Sequence, residues 1–279
     1  MLKAYYQLTK PGLIYGNLFT AVAGFLLAAR GRVDLRLLFF CLLGLALVIG
    51  AGCVLNNIAD RDMDAKMDRT RSRALVTGEI SKPAAAAFGS ALLGSGVIIL
   101  FSLVNIYALA AAVAGFIIYI FLYTPLKGRT AHATVVGSLA GAMPPLVGFS
   151  AAAGRPSLEA AVLFLAIAFW QMPHFYAIAI FRADEYAAAG VPVLPLRFGL
   201  RSAKIQILLY VTGFTAAAAA LGWFKPSGAW YVGGVGLLGL LWLGLAIRGL
   251  AAAENKRWAR QMFFFSLIVL VLTSVLIAA

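Results

Sequence analysis

The sequence predicts an all-α, polytopic membrane protein with about nine transmembrane helices, and three observations carry that expectation. Of the 279 residues, 63% are hydrophobic and 12% are charged, about half the charged share of an ordinary soluble domain. The apolar residues fall in runs of about 18–24, long enough to cross the hydrocarbon core as helices. The 23 Lys and Arg residues are also divided very unevenly between the segments that alternate across a bilayer.

In chain order the spans read 12–29, 36–57, 83–104, 106–125, 133–153, 158–180, 204–224, 228–248 and 258–279. Almost nothing separates the third from the fourth, which predicts a tight helical hairpin. No Ser/Gly linker or low-complexity segment interrupts the series, so residues 1–279 read as a single transmembrane domain. The opening "MLKAYYQLTKPG" has no apolar h-region or small-residue cleavage site, and the first span reads as a retained helix. With the N-terminus placed in the cytoplasm, only Arg30, Arg32, Arg36, Arg155 and Lys225 lie outside; the other 18 of the 23 lie inside. That is the positive-inside pattern, with the C-terminus outside. The net charge of +13 therefore reports topology and is not a nucleic-acid footprint. Cys41 and Cys53 lie twelve positions apart in one span, about 18 Å along a helix, too far for a disulfide. Both read as buried apolar thiols, and no C-x-x-C-H attaches a haem covalently.

The second span ends in "NNIADRDMDAKMDRTRSRAL", residues 56–75. Asn56, Asp60, Asp64 and Asp68 are spaced four apart, so a continuing helix lays them along one stripe, with Asp62 off it. Like charges at this spacing repel, so the stripe calls for a neutralising partner. A hard divalent cation such as Mg2+, which combines carboxylates with water and phosphate oxygens, answers that need. Nearby Lys66, Arg69, Arg71 and Arg73 suit the phosphate oxygens themselves. The plainer reading is a solvated loop with surface ion pairs. Asn56 and Asp60, however, continue an apolar run at membrane depth, where polar groups are costly and functional.

A second acidic patch, Asp184 and Glu185, follows the sixth span, but position 188 is alanine and no second D-x-x-x-D results. Between the patches, Lys127 and Arg129 face the inner side, as further phosphate ligands or as topological anchors. Pro144, Pro145 and Pro173 read as helix-interior prolines that remove hydrogen bonds and bend their helices. With Gly137, Gly141 and Gly148 nearby, they predict room for a large ligand. His174 follows Pro173, flanked by Trp170, Gln171 and Tyr176. It reads as a hydrogen-bonded polar residue, an iron ligand or a general base; His132 reads as a helix-start or surface residue. The chain has no Walker loop, G-x-S-x-G or Cys/His cluster, which disfavours ATPase, hydrolase and zinc chemistry.

The 56–75 stretch resembles the N-(D/N)-x-x-D-x-x-x-D signature of intramembrane aromatic prenyltransferases, in the version found in the protohaem IX farnesyltransferase family. "TKPGLIYGN" (9–17), "YTPLKGRT" (123–130), "GSLAGAMPPLVGF" (137–149), "WQMPHFYAIAIF" (170–181), "AGVPVLP" (189–195) and "WAR" (258–260) match in the same order. The resemblance implies nine helices around a central cavity open to the cytoplasmic face of a bacterial membrane. It also implies farnesyl diphosphate and haem B as substrates, with Mg2+ as the metal. Asn56, Asp60 and Asp64 would hold the metal diphosphate, supported by Asn57, with Asp184 or Glu185 at a second metal. Arg71, Arg73, Lys127 and Arg129 would neutralise phosphate, and Trp170, Gln171 and His174 would meet the haem. A haem A synthase or oxidase assembly partner would act downstream. Two departures stand out: Ala74 replaces a usual proline, which predicts a looser loop, and Glu185 replaces a usual aspartate.

For such a family the expected chemistry is loss of diphosphate from an allylic carbon, attack by a haem vinyl group and capture of the new cation by water. A quinone-type aromatic acceptor would call for the missing second D-x-x-x-D. A transporter would call for midplane charges and an inverted repeat, and neither is visible. A purely structural oxidase assembly protein would need no acidic site of this kind.

Overall fold

A computed structural model describes residues 1–225 and 228–278. The last residue of the predicted final span, Ala279, lies outside the described residues. In chain order the α-helices are α1 (Leu2–Leu8), α2 (Pro11–Ala29), α3 (Leu35–Asp64), α4 (Ala74–Thr77), α5 (Lys82–Leu103), α6 (Ile106–Ile117), α7 (Thr124–Leu126), α8 (Ala133–Gly141), α9 (Met143–Ala153), α10 (Leu158–Phe181), α11 (Ala183–Ala188), α12 (Leu194–Ala220), α13 (Gly228–Leu250) and α14 (Asn255–Ala278). A π-helical turn (Ile118–Tyr123) joins α6 to α7, and a 3-10 turn (Leu221–Phe224) ends α12. Among the described residues there is no strand, and nine helical segments are long and apolar enough to cross a bilayer. The chain is an integral membrane protein.

Side-chain caps fix several of the starts. Asp34 accepts the Leu37 N–H at 2.9 Å, Asn105 the Ala108 N–H at 2.9 Å and Ser157 the Ala160 N–H at 3.1 Å, each satisfying an otherwise orphaned donor. Only Val104 and Asn105 separate α5 from α6, as the sequence predicts. Asn105 also donates to the carbonyls of Ser150 and Ala151, which ties this hairpin to α9.

Four expectations need correction. First, α3 runs on to Asp64, seven residues beyond the expected boundary at 57, so Asp60 and Asp64 are helical. Asp68 lies past that helix, is exposed and pairs with Arg71 at 3.3 Å; it is not part of the stripe. Second, the fifth span breaks after Gly141. Pro144 and Pro145 therefore sit in the first turn of α9, where missing N–H groups cost nothing; only Pro173 is interior to its helix. Third, the seventh span starts ten residues early, at Leu194, and Gly199 (φ 81°, ψ 161°) breaks it in a conformation that suits glycine. Fourth, glycines expected to leave room instead allow helices to touch. A Cβ on Gly148 would strike the backbone of Ala21, one on Gly24 the backbone of Pro145, and one on Gly141 the Gln171 side chain.

The packing divides the chain into two compact units. In the first (1–128 and 143–156) α2 lies against α9 and α3 against α5. Its core includes Ala21, Phe25, Cys41, Leu45, Val48, Leu100 and Val147. Both cysteines are free and buried. In the second (129–142 and 157–279) α10 packs on α12 and α14, and Trp242 meets Phe214 edge-on at 5.6 Å. Trp223 and Trp230, 87% and 88% exposed, flank the α12–α13 connection. They sit at the helix ends opposite the basic cluster Arg248–Arg260, as interfacial anchors do.

Candidate active site

The polar face of α3 lies within the first unit. Asn56, Asn57, Asp60 and Asp64 are all buried, so the charge expected to need neutralising is also shielded from water. Three cations serve these four acceptors. Lys127 pairs with Asp60 Oδ2, and Arg73 binds Asp64 Oδ2 at 2.6 Å and Asn57 Oδ1 at 3.1 Å. Lys10 donates to Asn56 Oδ1 at 2.5 Å. Removing the cation from either carboxylate would strand a buried charge, which is costlier than never having buried it.

Local structure explains how three distant cations reach one face. After α3 the chain turns back through tight turns in which the Thr70 hydroxyl donates to the Asp64 carbonyl at 2.9 Å and the Arg61 side chain to the Leu75 carbonyl at 3.0 Å. Arg73 is thereby returned beside the helix it left. Ala74 opens α4, the first-turn position that proline favours. Its carbonyl accepts the Ile80 N–H at 3.2 Å. Lys127 is delivered by the π-helical turn and α7. The Thr124 hydroxyl donates to the Tyr119 carbonyl at 2.8 Å and accepts from Asn56 Nδ2 at 3.0 Å. This orients the Asn56 amide, leaving its oxygen for Lys10.

Lys10 is the residue that sequence reasoning counted only as a topological charge. It caps α2 in the left-handed region (φ 54°, ψ 65°), a conformation a non-glycine residue holds only under constraint. Burial lowers its ammonium from 10.5 to about 8; Arg73 and Lys127 add to the fall, while Cys53 and Asp60 oppose it. The lysine before Pro11 was the available signal, since a proline-capped helix start fixes where that side chain points.

Most of the other expected site residues have partners of their own. Arg71 is exposed and held by Asp68, and Arg129 is exposed at the start of the second unit. Asp62, Lys66 and Arg69 are exposed as well. In the second unit exposed Asp184 is bound by exposed Lys256 at 2.5 Å, and half-buried Glu185 by half-buried Arg182 at 2.9 Å. Trp170 Nε1 donates to the Ser266 carbonyl at 2.8 Å, and the Gln171 amide to the carbonyls of Ser138 and Ile167 at 3.0 and 3.2 Å. These donors thus hold helices together. His174 stacks on Trp170 and lies against Phe263, with Nδ1 2.8 Å from the Ser266 hydroxyl. That hydroxyl gives its one hydrogen to the Phe263 carbonyl at 2.5 Å, so His174 Nδ1 is the donor. Neutral His174 therefore keeps its lone pair on Nε2. His132 is exposed at the start of α8, 5.6 Å from the Phe198 ring.

Among the described residues no three His, Cys, Asp or Glu side chains converge as an all-protein metal cage. Two buried carboxylates and an amide oxygen on one helix face fit a magnesium ion that completes its shell with water and phosphate. Three cations within reach of the same face fit the phosphate charge that such an ion brings.

Among the described residues, nine apolar spans and a buried oxygen-rich face ringed by cations define a membrane-embedded protein with a polar site on one of its helices. Residues 17–268 match the UbiA prenyltransferase family, and the chain belongs to it. It is 47% identical over 277 residues to the protoheme IX farnesyltransferase of Protochlamydia amoebophila, covering 99% of this chain and 98% of that one. It is 46% identical over 278 residues to protoheme IX farnesyltransferase 2 of Chromobacterium violaceum, covering 99% and 92%. Its fold is similar to a solved digeranylgeranylglyceryl phosphate synthase (TM-score 0.83, 21% identity, 99% of this chain and 98% of that one). It is also similar to a UbiA homolog from Archaeoglobus fulgidus bound to GPP and Mg2+ (TM-score 0.74, 18% identity, 99% and 100%).

Proposed function

We propose that this chain transfers the farnesyl group of farnesyl diphosphate to a vinyl group of protohaem IX, with addition of water, to give haem O. The observation that carries the reading is the buried α3 face, on which Asn56, Asp60 and Asp64 are matched to Lys10, Lys127 and Arg73. The names of full-length relatives at 46–47% identity supply the acceptor and the prenyl donor. The whole chain acts as one transferase domain in a bacterial membrane, N-terminus in the cytoplasm and C-terminus outside, upstream of a haem A synthase or oxidase assembly partner.

Asn56, Asp60 and Asp64 would hold Mg2+, which when bound withdraws electron density from the diphosphate and makes it a better leaving group. The three cations leave their carboxylate and amide partners for phosphate oxygens, so charge developing on the leaving group meets donors already in place. Breaking the farnesyl C1–O bond sends its electron pair to diphosphate. The vinyl π electrons form the new carbon–carbon bond, and the cation left beside the porphyrin takes a water oxygen and releases a proton. That nucleophile has no proton to lose at the start, so no strong base is needed for attack. His174, with Nε2 as its basic nitrogen, is the candidate to take the water's proton or to bind the iron. Arg71, Arg129, Asp184 and Glu185 make no contact with the α3 carboxylates among the described hydrogen bonds and ion pairs, and we assign them no step.

Lys10→Gln is expected to raise KM for farnesyl diphosphate about tenfold, the worth of one charge-assisted hydrogen bond, with a smaller change in kcat. Steady-state kinetics at saturating protohaem measures this; an unchanged KM would remove Lys10 from the donor site. The function itself is tested by incubating purified protein with protohaem IX, farnesyl diphosphate and Mg2+ and weighing the haems. A haem carrying farnesyl and hydroxyl is expected, and an unaltered haem pool contradicts the reading.

A further inference from the structure

A cavity of about 1230 Å³ lies wholly within the second unit, among the ends of α10, α12, α13 and α14. Its lining is segregated by chemistry. Lys256, Arg257 and Arg260, all exposed and all within the first six residues of α14, form a rim that also holds Glu254 and Asn255 and is cationic on balance. Below them the lining is almost entirely apolar and includes Leu200, Phe265 and Ile268.

The depth of this lining is informative. Residues 255 to 268 of α14 take part, which is about 20 Å of helix at 1.5 Å per residue. Half of a hydrocarbon core is about 15 Å, so the cavity runs from headgroup level through roughly one leaflet. Cations stand where a lipid phosphate lies, and greasy side chains stand where acyl chains lie. The rim's ion pairs are weak holds. Lys256 meets Asp184 at 2.5 Å and Arg257 meets Glu254 at 3.9 Å, each pair largely exposed, and such pairs contribute little. Arg260 has no carboxylate within ion-pair distance among the described residues.

We infer that this cavity is a binding site for one anionic phospholipid, its phosphate on Arg257 and Arg260 and an acyl chain along α14 toward Ile268. Its lining shares no residue with the α3 face, and the inference does not depend on the assignment of the transferase activity. A zwitterionic lipid presents the same phosphate but adds an ammonium that three basic residues repel. Preference for net negative charge is therefore the signature, as for basic clusters at membrane surfaces generally.

The test is native mass spectrometry of the full chain released from nanodiscs of equimolar phosphatidylglycerol and phosphatidylcholine with identical chains. Retained lipid is expected to favour phosphatidylglycerol about tenfold, and the Arg257→Gln/Arg260→Gln double variant is expected to lose that preference. Both positions are exposed, and thermal unfolding of the variant checks that it is folded; Leu200→Gln provides a second variant that attacks the apolar wall alone and should shorten retention of the same lipid. Retention of both lipids equally by the unmodified protein overturns the proposal. So does a preference that survives the double variant. Glycerophosphoglycerol, the headgroup without chains, and inorganic phosphate should fail to displace the lipid; displacement by either assigns the rim to a free phosphate. Displacement by zinc protoporphyrin at one equivalent would hand the cavity to a dicarboxylate porphyrin instead.

Discussion

Asp60→Asn is expected to lower the rate of farnesyl transfer by at least about a hundredfold, the scale of losing one preorganised group at developing charge, while the protein still inserts and purifies. The replacement keeps shape and removes charge. Asp60 is buried on α3 and pairs with Lys127, so the asparagine leaves a metal face with one carboxylate and an ammonium with no counter-ion. Both changes act on the diphosphate. Fewer anionic ligands weaken the metal, and a Lys127 without its partner no longer exchanges a carboxylate for a phosphate. Asp64→Asn should resemble it, because Arg73 would lose its 2.6 Å contact there. Asp62→Asn is the control, since Asp62 is exposed and off the face. Single-turnover rates for the three variants, with excess Mg2+, check the prediction. Wild-type rates for Asp60→Asn would remove the metal role from α3.

Gly148→Ala is expected to destabilise the first unit by about 2–3 kcal/mol, the upper range for forcing atoms into a packed interior. The added methyl would strike the carbonyl, Cα and carbonyl carbon of Ala21, all backbone atoms. A side chain can rotate away from such a clash; a helix cannot, so α9 and α2 must separate along their length. Gly24→Ala should act alike from the other helix, where the obstacle is the backbone of Pro145. Gly12→Ala, in the same α2 but with open space at its Cβ, should be neutral or slightly stabilising through the unfolded chain. Thermal unfolding in detergent separates the three. Equal midpoints for Gly148→Ala and Gly12→Ala would mean that α2 and α9 do not pack as described.

The spans were legible because membrane crossing writes itself in length and hydropathy, and all nine expected segments have a helix. The breaks inside them were not. Hydropathy averages over the Gly141–Met143 junction, the π-helical turn at Ile118–Tyr123 and the reversal of φ at Gly199, because each changes backbone geometry without changing greasiness. Prolines 144 and 145 read as benders for the same reason, although they start a helix. On the site, the four-residue spacing put Asn56, Asp60 and Asp64 on one face and wrongly extended it to Asp68, since a spacing cannot say where a helix stops. Arg73 and Lys127 were expected near phosphate and are found on the acidic face. Arg71, two residues from Arg73, points to Asp68 instead. Lys10 was missed because its contact with Asn56 spans 46 residues, and only tertiary structure brings them together. Trp170 and Gln171 looked like cavity residues, yet their donors hold neighbouring helices. A buried polar side chain serves packing as readily as chemistry, and a one-dimensional pattern does not separate the two.

The most direct test of the account is one reaction in 18O-labelled water containing the purified chain, Mg2+, farnesyl diphosphate, protohaem IX and a hydroxybenzoate acceptor, followed by mass analysis of every product. A single new species is expected, a haem that has gained one farnesyl group and one 18O hydroxyl, and it should be absent with Asp60→Asn. A farnesylated hydroxybenzoate beside unchanged haem, or a farnesylated haem lacking the label, would contradict it.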